Sequence, residues 1–337
     1  MHLSRLKYLL ILLPASLLLF LFVKLGKFFP GPNDVSSGQF IQQLEKNAGI
    51  HPGYRRNHAS GLCMQGYFEG NNALHEYSDS AMFFNQKTPF TGRFSLPGGA
   101  IHASDPGVPI RSMALNFDID GSQQWRMALL SAPVFVVANP QDFLQLLQAQ
   151  EPDPVTGKAD GEKVAEFFKS HPESSTFVNW LSHHEQSNSL ANSRFNSLNA
   201  FYFTKNGEKT QAFRWSMLPV EPFVAMPDAD YSIFSEIEDR LKSGPIKWNM
   251  EVQLAQANDD VADATIAWPQ TNQKILVGTL TVMSGGQCDG INFDPTVTPK
   301  GIAVSADPLL AARSAVYARS FHSRSVEKGL KGNSDEN

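Results

Sequence analysis

Near its C-terminus the chain reads Asp307-Pro308-Leu309-Leu310-Ala311-Ala312-Arg313-Ser314-Ala315-Val316-Tyr317. Leu and Ala dominate after an acidic residue suited to an N-cap, so the stretch predicts a helix over Pro308 to Arg319 with Asp307 as its cap. On a helix, residues four apart share a face, which brings the Arg313 guanidinium to the Tyr317 phenol. A free phenol ionises near pH 10 and is a poor metal ligand at neutral pH. A guanidinium never deprotonates, and its charge favours the phenolate, a competent ligand for ferric iron. Taken alone, this spacing is also that of an ordinary surface pair on a helix.

Working outward, further blocks stand in a fixed order. Upstream lie Asp263 to Pro269, with Trp268, then Val277 to Thr281, Phe293-Asp294-Pro295 and Gly301-Ile302. In the first half stand Arg55-x-x-His58-Ala59-x-Gly61, Arg93-Phe94-Ser95, Pro133-Val134-Phe135, Asn139-Pro140 and Phe143. This collinear set, covering about residues 50 to 325, resembles the catalase family. The chain is short and opens with an apolar segment, so it most resembles the small catalase-related peroxidases.

The resemblance implies an α+β catalase-like fold: an antiparallel β-barrel core with surrounding helices, reduced terminal extensions, and haem between the barrel and the proximal helix. Tyr317 would ligate the iron, with Arg313 holding the phenolate. His58 would stand on the open face as general base, taking a proton from bound peroxide and returning it to the leaving oxygen. Ser95 would fix the imidazole through its other ring nitrogen. Arg55, Arg93 and Arg324 match propionate-binding positions, and Phe143 matches a ring that packs on the haem. The implied function is a haem peroxidase that reduces hydrogen peroxide or organic hydroperoxides with a small organic electron donor. Two other readings use the same blocks: a rearrangement of fatty-acid hydroperoxides, and a haem-binding sensor or carrier that needs Tyr317 but not His58.

Departures from the family pattern carry their own expectations. Leu130 occupies the place of a distal asparagine, so a second peroxide loses a hydrogen-bonding anchor and oxygen evolution should be weak. Asn57 replaces an aliphatic residue before the distal histidine and suggests a more polar channel. Phe321 stands where catalases carry a histidine, with His322 one residue away. The chain ends soon after the proximal helix, which predicts no nicotinamide site, and its reduced wrapping segments suggest a monomer or homodimer.

Composition bounds the rest. A formal charge of −5 over 337 residues gives no electrostatic support for a nucleic-acid partner. The 24 Phe suit either a β core or an enclosed aromatic guest. Residues 8–23 are apolar between Arg5, Lys7, Lys24 and Lys27, and no small-residue cleavage site follows. Residues 1–29 therefore read as an uncleaved inner-membrane anchor, with the body in the periplasm; 30–325 form the haem-binding core and 326–337 a disordered tail. Cys63 and Cys288 read as small buried hydrophobes, with a single disulfide left open. His183-His184 lacks a third ligand at metal spacing, and Arg56 reads as a solvated charge or one at a channel mouth. Strands are expected over Met64–Glu69, Ser112–Asp118, Trp125–Leu130, Pro133–Ala138, Ala200–Thr204, Thr210–Ser216, Trp248–Ala255 and Ile275–Val282. Short helices are expected near residues 39–48, 141–149, 161–170 and 229–242.

Overall fold

The computed structural model describes residues 35–103, 108–227 and 231–334, the last five by backbone alone. Ten strands occur among them: β1 (Gly61–Gly70), β2 (Lys87–Ser95), β3 (Ser112–Ile119), β4 (Gln123–Leu130), β5 (Phe195–Asn196), β6 (Phe201–Lys205), β7 (Glu208–Pro219), β8 (Ile246–Leu254), β9 (Lys274–Gly285) and β10 (Ile302–Val304). All pairings are antiparallel. The path β1-β2-β3-β4-β5-β7-β8-β9 returns to β1 and closes an eight-stranded barrel, from which β6 and β10 extend beyond β7. Closure leaves the barrel without an edge to protect. Around it stand α1 (Ser37–Ala48), α2 (Pro140–Ala149), α3 (Gly161–Ser170), α4 (Ser175–His183), α5 (Ile233–Ser243) and α6 (Pro308–Ser334).

Strand periodicity explains the interior. In β8, Ile246, Trp248, Met250, Val252 and Leu254 alternate inward with Lys247, Asn249, Glu251 and Gln253 between them. The barrel is filled by such positions, including Met64, Phe68, Phe94, Phe117, Phe195, Phe203 and Phe213. Phe203 and Phe213 stack at 3.7 Å. Nine of the 24 Phe lie in this central core, while Phe40, Phe135, Phe143, Phe293 and Phe321 face a separate cavity. The hairpin β6–β7 turns at Asn206-Gly207, both with positive φ (54° and 84°), a geometry that Asn and Gly adopt at little cost.

Four expectations change. The apolar run Pro133–Ala138 is not a strand; Val134, Val136 and Val137 pack on Phe167 and Phe177 of α3 and α4, and the Phe135 amide donates to Ala264 O at 2.8 Å. Continuous burial here comes from helices, not from a sheet. Residues 326–334 are not a disordered tail: α6 continues to Ser334, and residues 335–337 lie outside the described residues. Two of its charges are paired, Lys328 with Asp289 at 2.5 Å and Glu327 with Arg56. Arg56 is accordingly not solvated. Its side chain is only 5% exposed, and it also binds Glu45 of α1 at 2.7 Å, tying α1, the segment before β1 and α6 together. Cys63 and Cys288 form a disulfide that pins the segment after β9 to β1. Strand β2 and helix α4 have no counterpart in the sequence reading.

Among the described residues no helix is long and apolar enough to cross a membrane, and the expected anchor, residues 1–29, lies outside them.

The disulfide closes a loop with a sequence separation of 225. Replacing both cysteines by serine is expected to lower unfolding free energy by about 2–5 kcal/mol in urea titrations. Coincident denaturation curves for parent and variant would contradict this.

Candidate active site

One cavity lies between the end of the barrel, α1, α2 and α6, with about 1380 Å³ of empty space including its open mouth. All eight residues singled out from sequence line it: Arg55, His58, Arg93, Ser95, Phe143, Arg313, Tyr317 and Arg324.

His58 sits in the segment before β1 with φ of 56°, a left-handed conformation unusual for a residue with a side chain. Its surroundings over-determine that strain. The Asn57 side-chain oxygen accepts from the His58 amide at 2.9 Å and from the Gly98 amide at 2.7 Å. Arg93, reaching up from β2, donates to the carbonyls of His58 at 2.7 Å and Ala59 at 2.9 Å. Gly61 makes room for this: a Cβ there would lie 2.6 Å from the Arg93 guanidinium carbon and 2.3 Å from Phe94 O. Asn57 thus shapes the backbone, and its carbonyl oxygen is committed to that task instead of polarising a channel.

The His58 Nδ1 is flanked by two hydroxyls, Ser95 Oγ at 3.3 Å and Ser112 Oγ at 3.2 Å. Ser112 was not legible in the sequence. It arrives because β2 and β3 pair Ser95 with Ser112 directly across the sheet. The same register continues to Leu130 on β4, so the leucine borders the cavity next to the distal pair. Burial, and then the nearby charges of Arg93, Arg313 and Arg55, push the His58 pKa down to about 3. The imidazole is neutral across the working pH range.

On the opposite side, Pro308 starts α6 and Asp307 caps it, its Oδ1 accepting from the Leu309 amide at 2.9 Å. Its other oxygen accepts from Asn199 Nδ2 at 2.6 Å. Asn199 Oδ1 in turn accepts from Arg313 Nη1 at 3.0 Å, and Arg313 Nη2 donates to the Tyr317 phenol oxygen at 2.9 Å. Asn199 is the second residue that sequence reasoning missed. Its only trace there is its place just before the expected strand Ala200–Thr204.

A third wall carries excess positive charge. Arg55 donates to the carbonyls of Cys288 (3.2 Å) and Ile291 (3.3 Å), and Arg324 to those of Asp289 and Ile291. Burial lowers the pKa of all three arginines, Arg93 to about 9 and Arg324 to about 10, and Arg55 depresses both of those as well. Asp289 is the carboxylate beside them and is shared with Lys328. Three desolvated guanidiniums around one shared carboxylate fit a ligand that brings anionic groups. Phe40, Leu44, Phe143 and Val316 supply apolar walls for a flat ring system, and the phenol of Tyr317 supplies an oxygen donor. Phe321 also faces the cavity, where its ring carries the Arg324 guanidinium at 4.6 Å in place of any imidazole contact. These features suit an iron porphyrin with two carboxylates.

Away from the cavity, His184 stacks on Trp180 and His183 bonds to Asn179 O, so this pair does not converge on a metal position.

The Catalase family model matches residues 30–328. A catalase-related peroxidase from Synechococcus elongatus is 36% identical over 86% of this chain and 89% of its own. One from Mycolicibacterium paratuberculosis is 27% identical, over 87% and 96%. Rat catalase is 25% identical over 77% of this chain but only 54% of its own, so the chain spans about half of that enzyme. Among solved structures, a fungal catalase superposes with a TM-score of 0.74 at 20% identity, covering 80% of this chain and 59% of that one. A bacterial catalase gives 0.74 at 20% identity, over 87% and 62%.

The half-buried His58 makes a testable contribution to stability. Unfolded, the imidazole titrates near 6.5; folded, it titrates at about 3. Between those values the unfolded chain binds the extra proton, so stability falls as pH drops through the window. His58→Leu is expected to remove that share of the slope, seen as a smaller loss of unfolding free energy between pH 7 and pH 4.5. An undiminished slope would refute the assignment.

Proposed function

Because the chain belongs to the catalase family and is an oxidoreductase acting on peroxide, we propose that it is a haem peroxidase using Tyr317 as axial ligand and His58 as distal base. The observation that carries this reading is the convergence of His58, Tyr317 and three guanidiniums on one cavity.

Arg313 donates to the phenol oxygen and steadies it, and through that oxygen Tyr317 would ligate ferric iron. Arg55, Arg93 and Arg324 would hold the carboxylates of the haem, and Phe143 and Val316 would supply apolar walls beside it. When bound, haem supplies the electrons that reduce the O–O bond and recovers them from the donor. The remaining chemistry belongs to the chain. Ser95 and Ser112 bracket Nδ1 and hold the ring in place; with its hydrogen on Nδ1, donated to either hydroxyl oxygen, the imidazole keeps its lone pair on Nε2. That nitrogen accepts a proton from the peroxide and returns it to the departing oxygen, which leaves as water. Leu130 offers no hydrogen bond, so a second peroxide is poorly oriented as a reductant. A small organic donor completes turnover instead. The apolar run at residues 8–23, together with a disulfide of the kind that persists in oxidising compartments, supports a tethered enzyme facing the periplasm. A monomer or homodimer accords with the compact chain.

Tyr317→Phe is expected to abolish or shift the Soret band of the purified protein. His58→Ala should keep haem and lower peroxide turnover by about 10²–10⁴-fold. A His58→Ala protein with parental turnover would instead favour a haem sensor or carrier. Leu130→Asn should raise oxygen evolution from hydrogen peroxide at equal haem content, and no gain would remove Leu130 from the explanation.

A further inference from the structure

Outside the haem cavity, Asp142, His171 and Glu173 bring one nitrogen and two carboxylate groups to within 4.8 Å of one another. We propose that these three residues bind a divalent transition cation, zinc being the probe of choice.

The hydrogen bonds around His171 decide its tautomer. Nδ1 lies 2.8 Å from the carbonyl oxygen of Phe167, which can only accept, so Nδ1 carries the hydrogen. The Ser170 hydroxyl, 3.2 Å from the same nitrogen, is already placed to donate to backbone carbonyls. In the neutral ring Nε2 therefore presents its lone pair, and it lies 3.6 Å from Asp142 Oδ1. A direct charge-assisted hydrogen bond would measure about 2.7–2.9 Å. Two donors each about 2.0–2.1 Å from a tetrahedral zinc stand roughly 3.3–3.4 Å apart. The observed separation is too long for the bond and close to that of two ligands sharing one ion.

The ligands are also held from behind. The imidazole stacks on Phe167 at 3.9 Å and 16°, and the second oxygen of Asp142 accepts from Asn139 Nδ2 at 2.6 Å. Backing bonds of this kind are how metal ligands are oriented in general. Nitrogen plus two carboxylates is a donor set for zinc and neighbouring divalent ions, with water completing the shell. Asp142 lies in the first turn of α2, next to cavity-lining Phe143. His171 and Glu173 lie in the link between α3 and α4, which also holds the 131–139 segment through Ser174 Oγ to Val136 O at 2.6 Å. A bound cation ties that link to the helix bearing Phe143.

The test is calorimetric titration of zinc chloride into the haem-loaded full chain after chelator treatment, with cobalt absorption as a check on geometry. One saturable equivalent is expected, weakened at least tenfold by both Glu173→Gln and His171→Asn and unchanged by His183→Ala with His184→Ala. The Soret band should be the same in all. If His171→Asn fails to fold, Glu173→Gln carries the result, since its side chain is partly exposed and makes no stacking contact. Absence of saturable binding in the parent would overturn the proposal. Binding that neither variant weakens would place the cation elsewhere and would overturn it as well.

Discussion

The phenol oxygen of Tyr317 accepts a hydrogen bond from Arg313, and the geometry of that contact reaches well beyond the two residues. Arg313 is steadied by the carbonyl end of Asn199, whose amide end donates to Asp307, which caps the same helix. The polarity of the series permits one arrangement. A carboxylate can only accept and a guanidinium can only donate, so the amide between them cannot turn round. The start of α6, the turn between β5 and β6, and the phenol are therefore locked by one run of hydrogen bonds. Buried Asp307 has its pKa raised by desolvation, yet Asn199 and two backbone amides favour its ionised form. A loss at any member would misplace the oxygen donor without touching it.

The cations around the cavity act in two ways. They create the field that suits a dicarboxylate guest, and they also help to depress the basicity of His58. Burial is the larger cause of that depression. In the proposed mechanism, burial and this wall together keep the proton acceptor in its accepting form. Arg93 shows the economy of the arrangement. It belongs to this wall and, from below, holds the carbonyls of the strained segment that carries His58.

Covalent and ionic fastenings hold these parts in register. The disulfide anchors the segment whose Cys288 carbonyl receives Arg55, so a bond at the barrel surface helps orient a side chain in the cavity. Arg56, between Glu45 and Glu327, clasps α1 and α6 across the base of the His58 segment. Desolvating a guanidinium is costly, and two carboxylates with near-ideal contacts offset that cost.

Local patterns in the sequence determined much of this. The cap and the four-residue spacing of Arg313 and Tyr317, alternation in β8, the Asn206-Gly207 turn and the order of the motif blocks all depend on neighbours along the chain, where sequence carries the information. The eight chosen residues do line one cavity. What only the tertiary structure decided involves partners far apart in sequence. Ser112 beside His58 depends on strand register, and Asn199 on a loop meeting a helix more than a hundred residues later. The same holds for the pairing of Cys63 with Cys288, the burial of Arg56, and the helical course of a charged C-terminal segment. A charged side chain is solvated or buried according to which opposite charge the fold delivers to it. An apolar run such as Pro133–Ala138 is likewise strand or loop according to whether a sheet or helices cover it. Neither outcome is written in the local pattern, because both are properties of contacts that exist only once the barrel has closed.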